Sequence, residues 1–120
     1  MSRADVPLQL RRERRRGGVV LHASGDVDLA TVTLLAENLT AAETVAKPPA
    51  PVILVLSEIT FFGVVGLSAL VEHTQRCARQ HTPLRVVADQ YAVLRPMQLT
   101  GLRDTLNLHH TLAHAMHTPV

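Results

Sequence analysis

Apolar positions along the chain fall into short runs whose spacing changes from segment to segment. Leu8–Gln9–Leu10 alternates with period two and predicts a short strand. The charged run Arg11–Arg16 and the pair Gly17–Gly18 follow, and then Val19–Val20–Leu21 leads on to Ala23. Paired glycines between two apolar runs predict a tight turn, because glycine reaches positive φ without steric cost. The expectation is a hairpin with an arginine-rich tip. Gly25–Asp26–Val27–Asp28 then breaks the return strand, and Asp28 is placed to cap a helix. Val32, Leu35, Leu39, Ala42 and Ala46 recur at steps of three and four, which is the apolar stripe of an amphipathic helix. Lys47–Pro48–Pro49–Ala50–Pro51 ends that helix, since proline cannot continue it.

Val52–Ile53–Leu54–Val55–Leu56 is apolar without alternation, the pattern of a central strand buried on both faces. A second helix is expected from about Gly66, with Leu67, Leu70, Val71, Thr74 and Ala78 on its inner face. Pro83–Ala88 reads as a further strand, and residues 91–100 as a helix stopped by Gly101. Pro96 inside that helix predicts a kink or a late start. Leu106–Asn107–Leu108 is a last short strand, and Thr111 caps a short terminal helix. Strands alternating with helices imply crossover connections. The predicted class is α/β, a mostly parallel or mixed sheet with an antiparallel N-terminal hairpin and about four flanking helices. The whole chain, 1–120, reads as a single domain with its core over about 8–116.

Composition sharpens this picture. Hydrophobic residues make up 47% of the 120, yet only Phe61, Phe62 and Tyr91 are aromatic, so the core has to be aliphatic. The net charge of +2 is unevenly placed. Residues 1–16 carry six arginines, Arg3 among them, against Asp5 and Glu13, a balance of +4; the remainder carries six basic and eight acidic residues, a balance of −2. The basic character therefore belongs to one segment. Cys77 is the single cysteine, which excludes an internal disulfide. No secretory signal pattern and no apolar run near the ~18–20 residues of a membrane helix is visible. The expected setting is cytoplasmic, with no membrane partner.

Three motifs in this order resemble the STAS domain family, in particular the anti-sigma factor antagonists. Gly25–Asp26–Val27–Asp28 followed by Leu29–Ala30–Thr31 is similar to the family's turn before its first helix. Val52–Ser57 through Phe61–Phe62–Gly63–Val64–Val65–Gly66–Leu67 resembles its central strand and switch loop. Leu99–Thr100–Gly101–Leu102 resembles the end of its third helix. The likeness runs from about Leu8 to Met116. It implies a non-enzymatic protein-binding module whose partner is an anti-sigma factor of the kinase-like type. It also implies a contact surface at Asp26, Asp28 and the loop Gly63, Val64, Val65, Gly66 and Leu67.

The loop departs from the family pattern. Phospho-switch members read Asp-Ser-Ser-Gly or Asp-Ser-Thr-Gly there, and the first serine is phosphorylated by the partner. Here the aspartate position is Gly63, the phosphoserine position is Val64, the next is Val65, and Gly66 alone is kept. Val55 stands where an acidic or amide residue is common. Valine has no hydroxyl, so the charge switch at this position is absent and the loop should present a small apolar surface. Of the nearby hydroxyls, Ser57, Thr60 and Ser68, the last is the foremost substitute, because a helix's first turn tolerates negative charge.

Other chemistry finds less support. Asp28 reads as a helix cap and as a partner contact at once. Val64 and Val65 read either as a binding patch or as ordinary packing. Arg11–Arg16 reads as a solvated hairpin tip and not as a nucleic-acid site, since stacking aromatics and a second basic segment are missing. His109, His110, His114 and His117 lack the ligand set of a metal centre, and no cofactor is expected. His73 and Cys77 at helical spacing read as a surface histidine beside a buried, inert thiol. Two further functions stay open: a scaffold role in an oligomer, with a homodimer as its simplest form, and a small-ligand sensor near the loop.

Overall fold

The computed structural model describes residues 6–117; Arg3 and Asp5 lie outside the described residues. The chain runs β1 (Gln9–Arg15), β2 (Gly18–Val27), α1 (Val32–Val45), β3 (Val52–Phe62), α2 (Val64–Arg79), β4 (Leu84–Val87), α3 (Tyr91–Thr100), β5 (Leu108–His109) and α4 (Leu112–His117). The five strands form one sheet in the order β1-β2-β3-β4-β5. β1 and β2 are antiparallel, and every later neighbouring pair is parallel. The mixed α/β class expected from the pattern is therefore present.

Strand alternation gives the sheet two unlike faces. On one, Val19, Leu21, Leu54, Leu56 and Val86 pack against Leu35 and Leu39 of α1, Leu67 and Leu70 of α2, and Met97 of α3. On the other, Val20, Ile53 and Val87 are covered by Ala115, with half-buried Leu112 and Met116 of α4 beside it. Residues Val52, Ile53, Leu54 and Leu56 are fully buried, as a central strand requires; Val55 is half-buried. Their apolarity on both sides explains why this segment shows no alternation.

Several boundaries differ from expectation. The arginine run is not the hairpin tip. Arg11, Arg12, Arg14 and Arg15 lie within β1, and the turn is Arg16–Gly17. β1 pairs only with β2 and is a sheet edge, where charged side chains discourage pairing with another chain. β2 does not break at Gly25 but continues to Val27, absorbing register shifts between His22 and Ser24 and between Gly25 and Asp26. Gly25 has φ 99°, and the Pro7 carbonyl crosses where its side chain would be, so the residue is glycine for both reasons. α1 starts at Val32 after Thr31, four residues beyond Asp28. α2 starts at Val64 and not near Gly66. Its buried face carries His73 and Cys77, while Ala78 is exposed. α3 starts at Tyr91 with Pro96 inside it, so proline does not delay it. Gly101 closes it in the left-handed region at φ 72°. β5 is Leu108–His109, starting two residues later and ending one later than the alternating triplet suggests.

Candidate functional site

The C-terminal ends of β2 and β3 lie side by side, with Val27 paired to Phe62. The turns into α1 and α2 therefore leave the sheet together. The Gly63 amide donates to the Val27 carbonyl at 2.8 Å and ties the two turns.

The first turn is polar. Asp26 is buried, with 2% of its surface exposed. Its Oδ2 accepts from the Val6 amide at 3.0 Å and its Oδ1 from the Thr60 hydroxyl at 2.7 Å. The Asp26 amide in turn donates to the Val6 carbonyl at 3.0 Å. A buried carboxylate is tolerable only when its oxygens are satisfied in this way. Asp26 thus clamps the segment before β1 to the end of β3. Asp28 Oδ1 accepts from the amides of Ala30 (2.9 Å) and Thr31 (3.1 Å). The Thr31 hydroxyl donates to the Asp26 carbonyl at 2.8 Å and accepts from the Asp28 amide at 3.0 Å. Asp28 does satisfy free amides, but in the turn ahead of the helix; the residue at the N-cap position is Thr31, which makes no side-chain cap bond. This network holds Leu29 outward, 80% exposed.

The second turn has no side-chain cap. Gly63 precedes α2, and the Gly66 and Leu67 amides return to the Gly63 carbonyl at 2.9 and 3.4 Å. Leu67 is fully buried, so it anchors the helix and is not itself a surface. Gly66 is packed so tightly that a methyl group there would lie 2.8 Å from Val27 Cγ1 and 2.9 Å from the Phe62 ring. Val65 is half-buried, and Val64 is 67% exposed. Leu29 and Val64 are thus the large exposed apolar residues of the two joined turns, and Phe61, 37% exposed, lies next to the last residue of β3. Phe61 has its ring against Gly63. Leu29 and Thr31 stand within the turn motif and Thr60 among the nearby hydroxyls, but sequence reasoning named none of them as part of the contact surface. Leu29 carries a legible signal, an isolated leucine in a polar turn; the threonines' partners lie across the fold and leave no local trace.

Beside this surface, α1 and α2 border a groove of about 670 Å3, with Val32, Ala36, Val65 and Ala69 as its apolar wall. Exposed Ser68 lines it, whereas the Thr60 hydroxyl is engaged by Asp26 and Ser57 lies exposed on β3. The lower end of the groove rests on a buried polar cluster. Glu43 Oε1 meets His73 Nδ1 at 2.7 Å and accepts from the Cys77 thiol at 3.3 Å. Its Oε2 lies 3.4 Å from Arg76 Nε, close enough for charge attraction but outside hydrogen-bonding geometry. His73 is therefore a buried link between helices and not a surface residue. Burial first, and Glu43 second, push the Cys77 thiol up to about 12, so it has no thiolate character at neutral pH.

The four C-terminal histidines do not gather at one point. His109 and His114 meet under α4, and among the described residues no three His, Cys, Asp or Glu side chains converge on a metal position.

A family model described as STAS domain matches residues 9–115. The chain is 35% identical over 100 residues to the anti-sigma-F factor antagonist RsfB of Mycobacterium tuberculosis, spanning 83% of this chain and 80% of that one. It is 29% identical over 98 residues to RsfA of the same organism, also an anti-sigma-F factor antagonist, spanning 82% and 77% of the two chains. The fold superposes with a TM-score of 0.83 on the crystal structure of an anti-sigma factor antagonist from Mycobacterium paratuberculosis, at 32% identity and 92% of both chains.

Proposed function

This chain belongs to the STAS domain family, and on that footing we propose that it is an anti-sigma factor antagonist working by stoichiometric capture, without a phosphate switch in its loop. The partner is a kinase-like anti-sigma factor in the bacterial cytoplasm, and the chain contributes no catalysis. The relatives' names and the overall fold support the class. The observation that carries the mechanism is the exposure of Val64 at the first residue of α2; the resemblance of the loop to the family motif puts Val64 at the phosphoserine position. An anion would be welcomed by the free amides of that helix start, but valine cannot be phosphorylated. Instead Val64, Leu29 and Phe61 offer an apolar patch, and the adjoining α1–α2 groove extends it. Asp26 and Asp28 shape the turn that presents Leu29, and Gly63, Val65, Gly66 and Leu67 set the helix start beneath Val64.

Such a patch binds its partner constitutively: no covalent charge can be added at Val64 to release it. The test is calorimetric titration of the protein into a purified kinase-like anti-sigma factor, with and without ATP, followed by peptide mapping. The reading expects one-to-one binding whose affinity ATP incubation does not erode and no phosphate on residues 63–66. Loss of binding after incubation, with phosphate on Ser68 or Ser57, would mean that the switch has moved along the chain. No binding at all would leave the scaffold or ligand-sensing role in its place.

A further inference from the structure

The second face of the sheet is built differently from the first. Its apolar residues Val20, Ile53 and Val87 are covered by a helix of six residues, α4. Under that helix lie polar, ionisable side chains where an aliphatic core would be expected. Arg85, on β4, is 5% exposed and its Nη1 donates to the Ala115 carbonyl of α4. His109, on β5, is buried, and its Nδ1 lies 2.6 Å from Nδ1 of His114 on α4.

Two imidazole nitrogens at this distance share one hydrogen: one Nδ1 donates and the other accepts. A first added proton can be accommodated, because the donor ring takes it on Nε2 and the contact becomes charge-assisted. A second cannot, since both Nδ1 atoms would then carry hydrogen and both rings positive charge. The contact is also too short for joint metal ligation. Two bonds of ~2.0–2.1 Å at a tetrahedral angle put the nitrogens roughly 3.3 Å apart.

We propose that α4 is an acid-released cover, latched by the His109–His114 pair and freed from the sheet when both histidines are protonated. The groups acting on His109 all disfavour its protonation in the closed state: burial first, then His114 on α4, Arg85 on β4, and His110 beside it in the chain, which together hold its pKa below the ordinary 6.5. β3 contributes the apolar side chains of Ile53 and Val55 to the surface under α4. Once α4 lifts, His109 recovers its ordinary value and the open state binds more protons than the closed one. Closure is therefore complete above the ordinary value of 6.5 and weakens as pH falls below it. The released state uncovers the Val20, Ile53 and Val87 surface, on the sheet face opposite the one that packs α1 and α2.

The experiment is amide hydrogen exchange of the full chain from about pH 7.5 to about pH 5, corrected for intrinsic rates, with histidine ring titration by NMR on the same samples. The expected result is two coupled ring titrations for His109 and His114. As pH falls below 6.5, the opening constant of α4 amides should rise by up to roughly tenfold per pH unit while β3 amides stay protected. His114→Asn keeps a neutral hydrogen-bonding partner at an exposed position, so it should fold and should flatten the pH dependence. An α4 opening constant independent of pH overturns the proposal. So does an unchanged slope in His114→Asn, an opening of α4 and β3 together, or an α4 already open at neutral pH.

Discussion

α1 and α2 leave the sheet from neighbouring strand ends, yet their starts are held by different means. Before α1, Asp26, Asp28 and Thr31 bind one another's backbone, and Asp26 reaches Val6 and Thr60 besides. Before α2, main-chain hydrogen bonds, the packing of Gly66 against Val27 and Phe62 and the burial of Leu67 hold the turn. Polar side chains in the first turn are therefore committed to the fold. The exposed side chain at the start of the second, Val64, is free of such duties. A surface with no structural obligation can be given over to recognition; in the proposed function Asp26 and Asp28 contribute by shaping the turn that presents Leu29.

Substitutions should separate the two starts. The largest effect is expected for Asp26→Ala, which leaves the Val6 amide and Thr60 hydroxyl without their acceptor. At about 1.5–3 kcal/mol for a hydrogen bond to a charged group, the loss of these two bonds should reach about 3 kcal/mol in urea unfolding. Unchanged stability would mean that Asp26 is not the clamp. Next comes Gly66→Ala, where a methyl group 2.8–2.9 Å from Val27 and Phe62 must displace both. Overpacking of this kind costs about 1–3 kcal/mol, readable as a lower melting temperature. Asp28→Ala should cost about 1 kcal/mol, typical for the loss of a carboxylate that satisfies amides at a helix start, and should weaken partner binding through Leu29. Stability that falls without any change in binding would confine Asp28 to the fold. The smallest structural effect is expected for Gly63→Asp combined with Val64→Ser, which restores the family's Asp-Ser pair. The Val27 carbonyl lies 3.3 Å from a Cβ at position 63, a contact that needs only slight adjustment. Phosphate incorporation at the introduced serine, absent from the parent protein, is the outcome to look for by mass spectrometry after incubation with the kinase-like partner and ATP.

The contrast also marks what the chain declares locally. Element types followed from periodicity, because Leu35, Leu39, Val52–Leu56 and Leu67 record burial directly in their spacing. Starts and ends were less legible. The strand continues through Gly25–Asp26 because Val6 and Pro7 cross over it, a contact between segments about twenty residues apart. The arginine run looked like a tip because charge alternates poorly with any strand pattern; at a sheet edge, the four arginines of β1 all stay exposed. The loop residues were found through their likeness to a family motif, and periodicity alone would have placed Val64 in the core. His73, Arg85 and His109 were invisible as buried groups, since each depends on a partner from another element: Glu43, Ala115 and His114.

The central claim is that recognition lies on the apolar start of α2 and stability does not. It is tested most directly by measuring partner affinity and thermal unfolding side by side for the parent protein and Val64→Asp. A carboxylate at a helix start costs little, and can add a few tenths of a kcal/mol, so the melting temperature should barely move. Buried in an apolar interface without a partner, the same carboxylate should cost several kcal/mol, and each 1.4 kcal/mol is about tenfold in affinity. The account predicts binding weakened by at least about a hundredfold with the fold intact. A stable Val64→Asp protein that binds as tightly as the parent would contradict it.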